Sequence, residues 1–216
     1  MKYVSLDIET TGLEPKRPEN IIGLSFVVED TDRPDVPLRN LPSLTLVIDQ
    51  GRFEGEPYAL SLNSWLFDMI VDSRKGKDTQ YRVVSWGDGN ALHNTLYGYV
   101  PYGGWEHLVL DFLEAHFGNK SITVAGKNVA GFDMQFMTQI IQRRFKHRVI
   151  DVGSVFADFI RPNPIPSLDE LKKEHGMGDV SHDMYDDALD VIALLRKKYT
   201  KQRPIRIPMP SDGEFL

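Results

Sequence analysis

Residues 2–9 alternate with a period of two: Val4, Leu6 and Ile8 against Tyr3, Ser5, Asp7 and Glu9. Such alternation marks a β-strand with one apolar face. It also aims Asp7 and Glu9 the same way, with Cα atoms about 6–7 Å apart. Two carboxylates at that spacing can share one hard cation or bridge two. Taken alone, the pair fits equally well the solvated side of an antiparallel strand. The next four residues, Thr10-Thr11-Gly12-Leu13, are an odd exit from a strand unless something binds there.

Further along, Ile21 to Val28 reads as a hairpin partner and Leu44 to Ile48 as a third strand. The prolines and aspartates of residues 30–43 have loop composition. Leu60 to Val71 is expected to be helical, Asp72 to Gln80 a mobile polar loop, and Tyr81 to Trp86 a strand. Trp105 to Phe117 has apolar residues at helical spacing and Gly118 as its stop. Ile122 to Ala125 is a short buried strand, followed by a helix over about Phe132 to Phe145. Ser167-Leu168-Asp169-Glu170 is a capping box, opening a helix that Gly176 ends. A last helix covers about Asp183 to Tyr199, with Ala188, Val191, Ile192 and Leu195 as its core stripe. Three strands followed by alternating helices and strands imply a mixed sheet covered by helices.

Asp133 follows Asn128-Val129-Ala130-Gly131-Phe132 and opens a helix. A first-turn carboxylate is common there for its dipole alone, and Asn128 suits a turn. His182 and Asp187 are five residues apart, a turn of about 500° that leaves them about 140° apart on one helix. Both face one site only if His182 precedes the helix or lies in its first turn. A lone His is ordinarily an exposed loop residue, and Asp187 could be a solvated helix position. Asp187, however, borders the apolar stripe, whereas Asp183, Asp186 and Asp190 read as plain solvated charges.

In order and spacing, Asp7-x-Glu9-Thr10-Thr11-Gly12, Asn128 to Asp133, and His182-x-x-x-x-Asp187 resemble the three motifs of the DEDDh, DnaQ-like 3'→5' exonucleases. That superfamily includes proofreading subunits of bacterial DNA polymerases and oligoribonucleases. The resemblance covers about residues 2–29 and 105–199. The sibling group with Tyr-x-x-x-Asp does not fit, because Tyr185 has Leu189 at that place. The resemblance implies an RNase H-like α/β fold, a mixed β-sheet flanked by α-helices. It further implies that Asp7, Glu9, Asp133 and Asp187 hold two divalent cations, Mg²⁺ or Mn²⁺, about 3.5–4 Å apart. His182 would be the general base, and Thr10, Leu13 and Asn128 would meet the terminal nucleotide. The implied activity is metal-dependent removal of nucleotides from the 3' end of single-stranded DNA or frayed duplex ends. A DNA polymerase or other replication protein is the partner such a role calls for. An exoribonuclease or oligoribonuclease is the alternative, since the 2'-OH is read by pocket details. A non-catalytic nucleic-acid or polymerase-binding module is the alternative of another class; it would be marked by loss of a carboxylate.

About 120 residues separate Glu9 from Asp133, and the excess is expected at about 49–104 as an insertion in a single domain spanning 1–199. Residues 200–216 read as a surface tail. Trp86, Tyr97, Tyr99, Tyr102 and Trp105 are expected to pack the insertion, with base stacking the other role open to them. Arg143, Arg144, Lys146, His147 and Arg148 form a basic cluster at a helix C-terminus, where cations are favoured in any case. Arg74, Lys75 and Lys77 read as a solvated loop. The net charge of −6 speaks against general electrostatic binding of nucleic acid. Bound cations would have to supply local positive charge. Without cysteine, a membrane-length apolar run or a visible signal peptide, the setting expected is cytoplasmic.

Overall fold

The computed structural model describes residues 1–14, 16–76, 82–83, 98–101 and 104–202. Strands β1 (Lys2–Thr10) and β2 (Ile21–Asp30) form the expected antiparallel hairpin. Their register runs from Lys2↔Asp30 to Glu9↔Gly23 and slips between Glu9 and Thr10. On one side β3 (Ser43–Asp49) pairs antiparallel with β2. Beyond it lie β5 (Gly98–Pro101) and β4 (Arg82–Val83), both parallel to β3. On the other side β6 (Val124–Gly126) runs parallel to β1, and β7 (Ile150–Asp151) parallel to β6. The sheet has seven strands among the described residues, in the order β4-β5-β3-β2-β1-β6-β7.

Helices cover both faces. Val4, Leu6 and Ile8 pack with Val109 and Leu113 of α3 (Trp105–Phe117), Phe136 of α4 (Asp133–Phe136) and Ile141 of α5 (Gln139–Gln142). On the other face Tyr3 and Ala125 pack with Leu168 and Leu171 of α7 (Leu168–Glu174). The same layer holds the expected stripe of α8 (Met184–Gln202), Ala188, Val191, Ile192 and Leu195. Ile22 and Val47 meet Leu66, Met69 and Ile70 of α2 (Ser64–Arg74), together with Met184. The polar face of β1 is therefore not solvated. Tyr3 and Ser5 are fully covered by this second layer, and only the end of the strand, at Asp7 and Glu9, is partly open.

Several segments depart from the sequence reading. The helix expected over 132–145 is broken into α4 and α5, with Met137 extended between them. Phe136 and Ile141 are five residues apart and would diverge by about 140° on one helix. The break lets both reach the core, and the Gln142 amide serves the freed carbonyls of Met134 (2.9 Å) and Met137 (2.8 Å). The helix expected over 60–71 is two, α1 (Pro57–Leu62) and α2, and the second runs on to Arg74. Arg74 is no loop cation: it donates to the buried Asp49 through Nε (2.7 Å) and Nη2, and Tyr99 donates to the same carboxylate (2.6 Å). Strands β5 and β7, and α6 (Val152–Val155), are too short to show a period.

Trp105 and Tyr99 pack as the sequence suggests, Trp105 in the core and Tyr99 against the layer around α2. Trp86, Tyr97, Tyr102, Lys77 and residues 203–216 lie outside the described residues. Helix α8 continues to Gln202, past the expected start of the tail. The capping box of α7 is present: Ser167 Oγ accepts from Glu170 N–H, and the Glu170 carboxylate accepts from Ser167 N–H at 2.6 Å. Within the basic cluster, Arg144 donates to the Gly118 carbonyl at the end of α3. That cluster flanks the Ile122↔Phe145 bridge, level with the start of β1 and a strand's length from Glu9. No helix of the described residues is long and apolar enough to cross a membrane.

At that same end of the sheet, the fully buried Glu29 takes Nε (3.1 Å) and Nη2 (2.7 Å) of Arg196, and the Tyr199 hydroxyl. Arg196 also donates to the Val36 carbonyl at 2.7 Å, so α8 is anchored to the sheet by its C-terminal half. Removing one partner of a buried pair leaves an uncompensated charge. Arg196→Met is expected to lower stability by about 3–5 kcal/mol in urea unfolding. Adding Glu29→Gln to that variant should recover a large part of the loss.

Candidate active site

Asp7 and Glu9 sit at the carboxyl end of β1. The neighbouring parallel strand β6 ends at Gly126, and the chain folds back over β1 through Lys127 to Phe132. The approach is tight: a Cβ on Gly126 would lie 2.9 Å from the Leu6 carbonyl. This return delivers Asp133, which is 3% exposed, to the main chain of Ile8 between the first two carboxylates. From the opposite side comes the first turn of α8, which carries Asp187 at 6% exposure. Carboxyl ends of parallel strands are where open α/β sheets hold their ligands.

His182 lies two residues ahead of α8 with φ +52°, exposed to solvent. This is the arrangement the five-residue spacing requires, with the His before the helix and the Asp inside it. The imidazole is close enough to act electrostatically on Asp187, and Ser181 Oγ reaches the same carboxylate at 3.4 Å. Asn128 is also left-handed, at φ +52°; its N–H donates to Asp151 (2.6 Å) and its carbonyl accepts from Gly131 and Phe132. Thr10 is buried, with its hydroxyl donating to the Gly12 carbonyl at 2.9 Å and its own carbonyl accepting from Asn63 Nδ2 at 3.0 Å. Leu13 is 61% exposed at the rim.

The carboxylates repel one another under cover. Burial, then Asp133, Glu9 and Asp187, hold Asp7 well above the usual carboxylate range. Burial pushes Glu9 up to about 8 against a hydrogen bond from Asn63, and Asp187, Asp133 and Asp183 add to the rise. Burial takes Asp133 to about 7, opposed by main-chain hydrogen bonds and by Lys127. Asp187 is raised to about 6 by burial, with Lys172 pulling the other way. Among the described residues no three His, Asp or Glu side chains already converge closely enough to enclose an ion. The donor chemistry nevertheless suits hard divalent cations: four carboxylates, no sulfur, and only nearby cationic side chains to offset them. Asn63 Oδ1, close to Glu9, is buried without a hydrogen-bond partner among the described residues. The donor set therefore suits divalent cations.

Four residues escape a reading of the motifs. Asn63, Glu56 and Lys172 come from other parts of the chain, and Lys127 borders the second motif without a sequence cue. Lys172 is 3% exposed and ion-paired with Asp190, beneath Asp187. Neither Asp190 nor its neighbours are plain solvated charges: Asp186 pairs with Arg39 (2.6 Å), and Asp183 accepts from Tyr185 and Asp186 N–H as the cap of α8. A helix start needs such an acceptor, which was the one cue available.

No family model matches the chain. A search of curated proteins finds no match either. Solved structures do resemble it. E. coli exonuclease I in complex with a 5cy-dT13 oligonucleotide superposes at a TM-score of 0.51 and 13% identity, over 93% of this chain and 41% of that one. The cell-death related nuclease CRN-4 gives 0.54 and 11%, over 93% and 64%. The zinc-bound exonuclease I–ssDNA complex from E. coli gives 0.52 and 14%, over 93% and 41%. The chain has the fold of these nucleases. It is an RNase H-like α/β fold, as the motif resemblance implied. The chain spans about two fifths of exonuclease I and under two thirds of CRN-4.

For carboxylates raised on folding, the folded protein holds more protons than the unfolded chain between about pH 4 and 8. Their contribution to stability therefore falls as pH rises through that window. Without divalent cations, Asp133→Asn is expected to melt about 4 °C above the wild type at pH 8. The difference should shrink towards pH 5. An equal difference at both pH values, by calorimetry, would count against this picture.

Proposed function

We propose that the chain is a metal-dependent 3'→5' exonuclease of the DEDDh type, acting on single-stranded DNA or frayed ends. What supports this reading is that four carboxylates from three separate motifs lie near enough to repel one another, with His182 near enough to act on Asp187, on the fold of exonuclease I. The net charge of −6 accords with it, since affinity for a polyanion must then come from bound cations. A cysteine-free chain suits a reducing, cytoplasmic setting.

In this reading Asp7, Glu9, Asp133 and Asp187 would hold two Mg²⁺ or Mn²⁺ ions. When bound, these supply the charge that lowers the pKa of an attacking water and offsets the leaving 3'-oxygen. His182 would take the proton of the attacking water as general base. Its exposed position ahead of α8 keeps the ring outside the buried cluster yet beside Asp187. Leu13, projecting at the rim, offers an apolar contact for the terminal base, with Thr10 main chain and Asn128 lining the site. DNA is preferred over RNA as the substrate because exonuclease I, with the same fold, is solved with DNA oligonucleotides. A replication polymerase is the partner such an activity would serve.

Matched 5'-labelled single-stranded DNA and RNA, incubated with Mg²⁺, Mn²⁺ or EDTA, test the proposal. A ladder shortening from the 3' end is expected with either metal and not with EDTA. Asp7→Ala should abolish it, and His182→Ala should slow it by about 10²–10⁴-fold. Faster digestion of RNA would convert the reading to an exoribonuclease. No cleavage of either polymer by folded protein would overturn catalysis in favour of a nucleic-acid-binding module.

A further inference from the structure

Between the first and second motifs, residues 55–63 close over the turn that leaves β1. Glu56 N–H donates to the Thr11 carbonyl at 2.8 Å, and the Glu56 carboxylate accepts from Leu13 N–H at 3.1 Å. Gly55 is so near that a Cβ would stand 2.0 Å from the Thr11 oxygen, a distance no other residue allows. Asn63 completes the set: its Nδ2 donates to the Thr10 carbonyl at 3.0 Å, and its amide lies near enough to the Glu9 carboxylate to favour the ionised form. The turn is thus tied at Thr10, Thr11 and Leu13 by one short segment.

Asn63 is the member that touches the chemistry. It stands at the junction of α1 and α2, where an Asn would ordinarily cap the second helix. Its side chain makes no cap hydrogen bond. The amide is turned away from its own helix and, at 2% exposure, faces the end of β1. The packing holds it there. Gly23 is the register partner of Glu9, and a Cβ on it would come within 3.1 Å of both Leu66 of α2 and Met184 of α8. The two helices that carry Asn63 and Asp187 therefore converge over Glu9. That carboxylate is repelled by Asp187, Asp133 and Asp183. A fixed N–H donor is what keeps such a group in one orientation.

We propose that Asn63 is a positioning residue that holds the Glu9 carboxylate ready for a divalent cation, which makes the inserted segment part of the site. The inference rests on the metal-binding reading above. Partners that orient metal ligands are typically worth 10–100-fold in metal affinity.

The test is Mn²⁺ binding by titration calorimetry on the full chain, without nucleic acid. Wild type is compared with Asn63→Leu, Asn63→Ala and the control Tyr99→Phe. The control removes one hydrogen bond from the same inserted segment, to Asp49 rather than to any of the four candidate metal ligands. Both Asn63 variants are expected to bind Mn²⁺ about 10–100-fold more weakly, and Tyr99→Phe to bind as wild type does. Should Leu prevent folding, Asn63→Ala, which leaves space rather than bulk, carries the comparison. Wild-type affinity in a folded Asn63 variant overturns the positioning role and leaves the exonuclease reading standing. An equal loss in Tyr99→Phe overturns it as well, by making the effect one of general stability. Absence of Mn²⁺ binding by the wild type defeats the metal-site reading itself.

Discussion

Like charges gathered under cover push one another apart, and something stiffer than they are must hold them. Here the stiff element is β1. It is hydrogen-bonded to β2 along its length and to β6 at Val4 and Ser5, and packed on both faces, so Asp7 and Glu9 extend from a strand held firmly by the sheet. Asp133 is tied to the main chain of Ile8. Asp187 belongs to the first turn of a long helix, an end that favours an anion, with Lys172 beneath it. The apolar layers on either side of the sheet supply the free energy that offsets this repulsion. The site is accordingly a place of local destabilisation maintained by the rest of the domain, a familiar relation between stability and function.

The sequence makes legible whatever repeats or caps locally. The period-two pattern of residues 2–9, the stripe of α8, the capping box at Ser167 and the glycine stop at Gly118 each bound or fill an element without help from distant residues. The fold followed from these and from the motif order. The contributions of Asn63 and Lys172 were not legible, because each acts on a residue to which it is a tertiary neighbour alone. An isolated Asn signals a turn, and an isolated Lys a surface. The same blindness explains why Asp186 and Asp190 looked solvated and why 132–145 looked like one helix. Partners such as Arg39 and the Gln142 amide become visible only after folding.

Charge sets the terms on which a polyanion could approach. The chain is acidic, and the carboxylate end of the sheet is more so. The basic cluster around Arg144 lies at the other end, partly used to close α3. On the proposed reading, recognition and chemistry share one cause, the cations at the carboxylates. Substrate affinity should then track metal concentration more than ionic strength.

Helix α8 has a further consequence because its two ends do different jobs. Its first turn bears Asp187, while Arg196 and Tyr199 lock its later turns to Glu29 at the far end of the sheet. From Asp187 to Gln202 the helix rises about 22 Å. The chain therefore leaves α8 on the side of the molecule remote from the carboxylates. That makes this end the natural handle: a bead, a surface or a second protein tethered there would leave the mouth of the site facing outward.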